Sequence, residues 1–195
     1  MGLFSARLRK LFSLGARRAA VLGRVFAGNY GKMRKCESQD MPVICLTTKI
    51  RAPIDSCFDL ARSVEIHLRS TAKTREKVVG GVTHGLIGLN DEVTWEAIHF
   101  CIRQRLTSRI TVWNPPNHFR DSMVHGAFQS FDHDHFFEHH QGITTMNDRF
   151  DYKSPLGLLG RLADVLFLER YMERLLRERA DVIRLAAESR EIRLP

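Results

Sequence analysis

No run of this chain reaches the ~18 consecutive apolar residues of a membrane-spanning helix, so hydropathy gives no transmembrane anchor. Cysteine is sparse. Cys36, Cys45, Cys57 and Cys101 form no CxxC pair and no zinc-ribbon spacing. Cys45 falls in an apolar strand pattern and Cys57 in a helix pattern, which reads as buried reduced thiols of a cytoplasmic protein and not as a disulfide framework. Gly80, Gly81, Gly85 and Gly88 fit neither a P-loop nor a dinucleotide fingerprint, so they read as turn glycines. A nucleophile elbow, an HExxH motif and a Ser/His/Asp order are all missing. Internal repeats and low-complexity segments are missing too.

Apolar residues make up 44% of the 195, enough to bury one core. The net charge of +8 hints at nucleic acid, but its placement argues otherwise. Residues 1–40 hold nine of the 30 Lys and Arg and only two of the 22 acids, Glu37 and Asp40, which leaves the rest at +1. No nucleic-acid partner is expected. In the tail, Phe4, Leu8, Leu11, Phe12, Ala19, Leu22 and Phe26 share one helical face, with Arg7, Arg17, Arg18 and Arg24 largely off it. Such a helix can lie on an anionic membrane surface. It also has the character of a targeting presequence, or of translated upstream sequence if Met33 or Met41 is the true start. We therefore divide the chain into a basic tail and linker, 1–40, and a domain, 41–190.

Alternation and β-branched residues predict a first strand at 43–51, stopped by Ala52-Pro53. Short helices follow at 54–61 and 64–70. Strands are expected at 76–82, 92–103, 104–113, 119–124, 127–138 and 143–152, with turns at 114–117 and 139–142. Pro155 opens a long helix over 156–188, about 48 Å at 1.5 Å per residue. Short links favour antiparallel neighbours. The only large element able to cover such a sheet is the last helix. The expected class is α+β: a curved antiparallel sheet of about six to seven strands wrapped around a long C-terminal helix. A curved sheet gripping one helix leaves a cleft, the usual form of a small-molecule site.

Four segments carry a resemblance: IRAPIDSCFDL at 50–60, DEVTW at 91–95, FDHDHFFE at 131–138 and PLGLLGRLAD at 155–164. In order and spacing the chain resembles the START/SRPBCC superfamily, the helix-grip group that includes Bet v 1-like and polyketide cyclase-like proteins. The resemblance spans 41 to about 188 and implies a hydrophobic cavity. It brings no universal catalytic set.

The densest cluster of chemical groups is Phe131-Asp132-His133-Asp134-His135-Phe136-Phe137-Glu138. On a strand, Phe131, His133, His135 and Phe137 share a face, which turns both histidines toward the apolar side. Buried there, they act as internally bonded neutral groups, as ligand contacts, or as a general acid or base. Two histidines two apart can also share an ion. Glu138, however, lies on the other face and too close for the cupin HxH…E spacing, so no metal ligand and no cofactor is assigned. Trp95 and His99 share a strand face across small Ala97, as a cavity wall would. Candidate ligand contacts are thus His67, Trp95, His99, Met123, Phe131, His133, His135 and Phe137.

The leading expectation is binding or carriage of a small hydrophobic molecule such as a lipid, quinone or polyketide-like compound. The alternative is a cyclase- or dehydratase-type enzyme using His133 or His135. Peripheral membrane contact through 1–40 is the remaining partner expectation.

Overall fold

In the computed structural model, residues 42–154 and 167–189 are described. The tail 1–40 and the opening of the long helix at Pro155 lie outside the described residues.

The first strand, β1 (Val43–Ile50), is set by a period of two. Ile44, Leu46, Thr48 and Ile50 are buried, while Val43, Cys45, Thr47 and Lys49 face the other way. Cys45 is disulfide-bonded, whereas Cys57 and Cys101 are free. This departs from the expected reduced thiol. The outward phase of β1 leaves the Cys45 sulfur half-buried and not in the core.

Pro53 precedes α1 (Ile54–Ala61), which buries Cys57, Phe58, Leu60 and Ala61. Ser63 then caps α2 (Val64–Ser70), its side chain accepting from the Ile66 amide. After a short 3-10 turn at Ala72–Thr74 come β2 (Lys77–Gly81), β3 (Glu92–His99), β4 (Ile102–Asn114), β5 (His118–His125), β6 (Ser130–His140) and β7 (Ile143–Lys153). The last element among the described residues is α3 (Glu169–Glu188).

All seven strands form one antiparallel sheet in the order β1-β7-β6-β5-β4-β3-β2. β2 to β7 is a meander. Helices α1 and α2 carry the chain from the β1 edge to the β2 edge. Bulges at Val78/Gly80, Thr107/Ser108 and Ile110/Val112 bend the sheet locally. Phe58 pins α1 to the sheet through edge-to-face contacts with Trp113, Phe119 and Phe137, at centroid distances of 5.3, 5.3 and 5.6 Å.

The end of β3 also differs from the sequence reading. β3 ends at His99, not Arg103, because the chain reverses at Phe100-Cys101 with φ of 52° and 65°. No glycine, asparagine or proline marks that turn. The buried face of α3 consists of Leu176, Ala180, Ile183 and Ala186, while Leu185 is exposed. Ala180 and Ala186 present no bulk on this face.

Candidate ligand-binding cavity

The concave face of the sheet and α3 form the walls of a partly open cavity of about 330 Å³. Its wall is mainly apolar, formed by Ala97 and Leu106 from β3 and β4, Phe131 and Phe150 from β6 and β7, and Met172 and Leu176 from α3. Two groups of polar side chains interrupt it.

The first group lies beside the β3–β4 hairpin. His67 stacks on Trp95 at 4.0 Å and holds Glu76 through Nε2 to Oε1 at 3.3 Å. Burial pushes the Glu76 carboxyl up, but the bond and charge of His67 outweigh it and leave the group below its ordinary value. His99 Nδ1 and the Tyr171 hydroxyl are 2.8 Å apart. Burial holds His99 below the usual imidazole range and raises the Tyr171 phenol. Phe100 packs on Phe167 and Tyr171, at 5.4 and 4.6 Å, where the cavity meets solvent.

The second group is set by strand register. On β6, Phe131, His133, His135 and Phe137 are all buried on the inward face. Asp121 of β5 stands opposite His133, and Asp148 of β7 stands opposite His135. Asp121 Oδ1 is 3.2 Å from His135 Nε2 and 3.8 Å from His133 Nδ1. Asp148 Oδ1 is 2.6 Å from His135 Nδ1 and 3.5 Å from His133 Nε2.

Burial alone would raise both carboxyls. The histidines outweigh it, taking Asp121 down to about 2 and Asp148 also well below the carboxylate range. Burial, reinforced by the charge of its neighbour, lowers His133. Burial likewise opposes the charged form of His135, but its bonds to Asp121 and Asp148 prevail and raise it. Arg179 of α3 reaches this end of the cavity and donates from Nη2 to the Ala61 carbonyl at 2.7 Å, tying α3 to the end of α1.

His67, Trp95, His99, Phe131 and His133 line the cavity. His135 lies behind His133, stacked on Phe119 at 4.3 Å. Phe137 packs into the core against Phe58 and Phe119. Met123 packs against the core from its margin. Glu138 is exposed on the opposite face. Sequence reasoning missed Asp121, Asp148 and Arg179. Asp148 carried a signal: in the alternation Thr144, Met146, Asp148, Phe150, Tyr152 it is the one charged residue in the inward phase.

No family model matches the chain, and no curated protein matches it. Solved structures do match. TTHA0849 from Thermus thermophilus aligns over 76% of this chain and all of its own (100%), at 20% identity and a TM-score of 0.59. Ginseng major latex-like protein 151 from Panax ginseng aligns over 75% of this chain and 97% of its own, at 13% identity and 0.57. A START superfamily protein from Mycobacterium smegmatis covers the same shares at 8% identity and 0.56. The fold is therefore the START-like helix-grip fold, with its sheet, two short helices after β1 and C-terminal helix in that arrangement. Among the described residues, no helix is long and apolar enough to cross a membrane.

Proposed function

We propose that the chain binds a small, mainly apolar molecule between the sheet and α3. The observation that carries this reading is the cavity itself. A volume of about 330 Å³ with an aliphatic and aromatic wall and a few polar groups has the size and chemistry of a small-molecule site. His99 and Tyr171 on one side, and Asp121, His133 and Arg179 on the other, would orient the ligand's oxygens. Lipid, quinone and polyketide-like compounds all share that character.

The test is native mass spectrometry of the purified chain, followed by denaturing mass spectrometry of the same sample, together with titration by the amphipathic fluorophore 1-anilinonaphthalene-8-sulfonate. We expect an organic adduct lost on denaturation, or saturable binding of one fluorophore per chain. A bare polypeptide that also fails to bind the fluorophore would overturn the proposal.

A second reading, acid–base catalysis of a cyclase or dehydratase type, is favoured by one observation: His133 reaches the cavity wall beside an ionised carboxylate, Asp121. In that case His133→Ala abolishes turnover of the identified ligand while binding persists. Unchanged turnover removes His133 from the chemistry.

A further inference from the structure

The two histidines of β6 and their carboxylates have an arrangement that ligand binding alone does not require. Each imidazole has one nitrogen turned toward Asp121 and its other nitrogen turned toward Asp148. His133 uses Nδ1 and Nε2 respectively, and His135 uses Nε2 and Nδ1. The rings are held in place: their centroids are 3.9 Å apart, Phe119 stacks on His135, and the edge of Phe150 meets His133 at 5.3 Å.

On the Asp121 side, one atom from each of Asp121, His133 and His135 lies within 4.8 Å of the others. A tetrahedral ion with bonds of about 2.0–2.1 Å needs its ligand atoms roughly 3.4 Å apart. The two separations involving Asp121 Oδ1, 3.2 and 3.8 Å, bracket that value. On the far side, the buried His133 Nε2 and His135 Nδ1 stand 3.5 and 2.6 Å from Asp148 Oδ1. Metal-bound imidazoles typically point their second nitrogen at such a carboxylate.

We propose that Asp121, His133 and His135 form a binding site for a divalent first-row transition ion of the zinc or iron(II) class, with Asp148 orienting both imidazoles from behind. Two imidazoles and one carboxylate suit those ions and leave at least one coordination position open. Asp121 and His133 line the cavity whereas Asp148 does not, so the open position faces the ligand space. The third ligand comes from β5, a strand away from the FDHDHFFE segment. Glu138 plays no part. The inference does not depend on an apolar ligand, because the ion and the fluorophore are titrated separately.

The competing occupant of this space is a proton on His135, which would make the cluster a closed ion-pair group. The experiment uses the full untagged chain, stripped with chelator and titrated with Zn2+ by calorimetry and with Co2+ by visible absorption. We expect one equivalent of Zn2+ per chain, with Co2+ giving the intense bands of a low-coordinate site. Asp121→Asn, which keeps the residue's shape, and His135→Ala should each abolish stoichiometric binding. Asp148→Asn should weaken it roughly 10–100-fold, and replacing exposed His139 and His140 with alanine should leave it unchanged. Circular dichroism checks that each variant is folded. No binding to the wild-type chain, or binding that survives Asp121→Asn but is lost with His139 and His140, would overturn the proposal.

Discussion

Asp134 and His135 are adjacent in the chain and both buried, on opposite faces of the same sheet. His135 belongs to the cavity side. Asp134 is held on the other side by Arg120 Nε and Nη2, at 2.8 and 2.9 Å, and by His118 Nε2 at 2.7 Å. Burial pushes the Asp134 carboxyl up, but Arg120 and His118 outweigh it, so its folded pKa lies below the ordinary 3.8.

The sign of the pH effect follows. A carboxyl depressed in the folded state contributes stability above its unfolded pKa and loses it as pH falls through the folded value. Asp134→Asn should therefore destabilise the chain at pH 7, and the gap to wild type should close progressively below pH about 4. Denaturant unfolding over that range measures it. A gap independent of pH would show that the Asp134 charge contributes nothing.

Trp95 lines the cavity with His67 stacked on it, whereas Trp113 packs against Phe58 in the core. Ligand entry should change Trp95 emission. Trp95→Phe should remove most of the ligand-induced change while the chain still binds. Retention of the full signal would place the bound molecule elsewhere.

Gly81 has φ +75°, and a Cβ there would overlap the Glu92 carbonyl across the β2–β3 ladder. Both the backbone conformation and the space exclude a side chain. Gly81→Ala should cost more than about 1 kcal/mol of stability, measured by denaturant unfolding. A neutral result would mean that β2 shifts freely.

The turn at Phe100-Cys101 places two non-glycine residues at positive φ, a geometry that favours glycine at the second position. Left-handed backbone costs an ordinary residue about 1–2 kcal/mol, and glycine's extra unfolded-state freedom returns about 0.5–1 kcal/mol of that. Cys101 is an exposed free thiol. Cys101→Gly should raise the melting temperature slightly, and a lower one would reveal a stabilising contact of the thiol.

Much of the fold was legible because strand alternation, helical spacing and stop residues mark most elements: β1 and both short helices fall within a residue of their expected bounds, whereas β6 is shifted from the expected 127–138 to Ser130–His140. The β3–β4 tip was not, since Phe100 and Cys101 resemble the strands they join. His133 and His135 were legible as an inward pair between phenylalanines. Their carboxylates depend on register across two ladders, which sequence spacing does not contain, although the inward phase of Asp148 was visible within its own strand. The rotation of α3 was hidden by its charge density. Leu185 keeps helical spacing yet is exposed, and small Ala180 lies inward.

The meander ends on β2, five residues interrupted by a bulge at Val78/Gly80 and closed by Gly80-Gly81, with Lys77 exposed at its start. Unpaired edge strands are where foreign chains add by extending a ladder, and short, bulged, lysine-bearing edges resist this. From the β2 side, then, the sheet is a poor template for growth: a strand from a second molecule would meet a broken row of donors and acceptors.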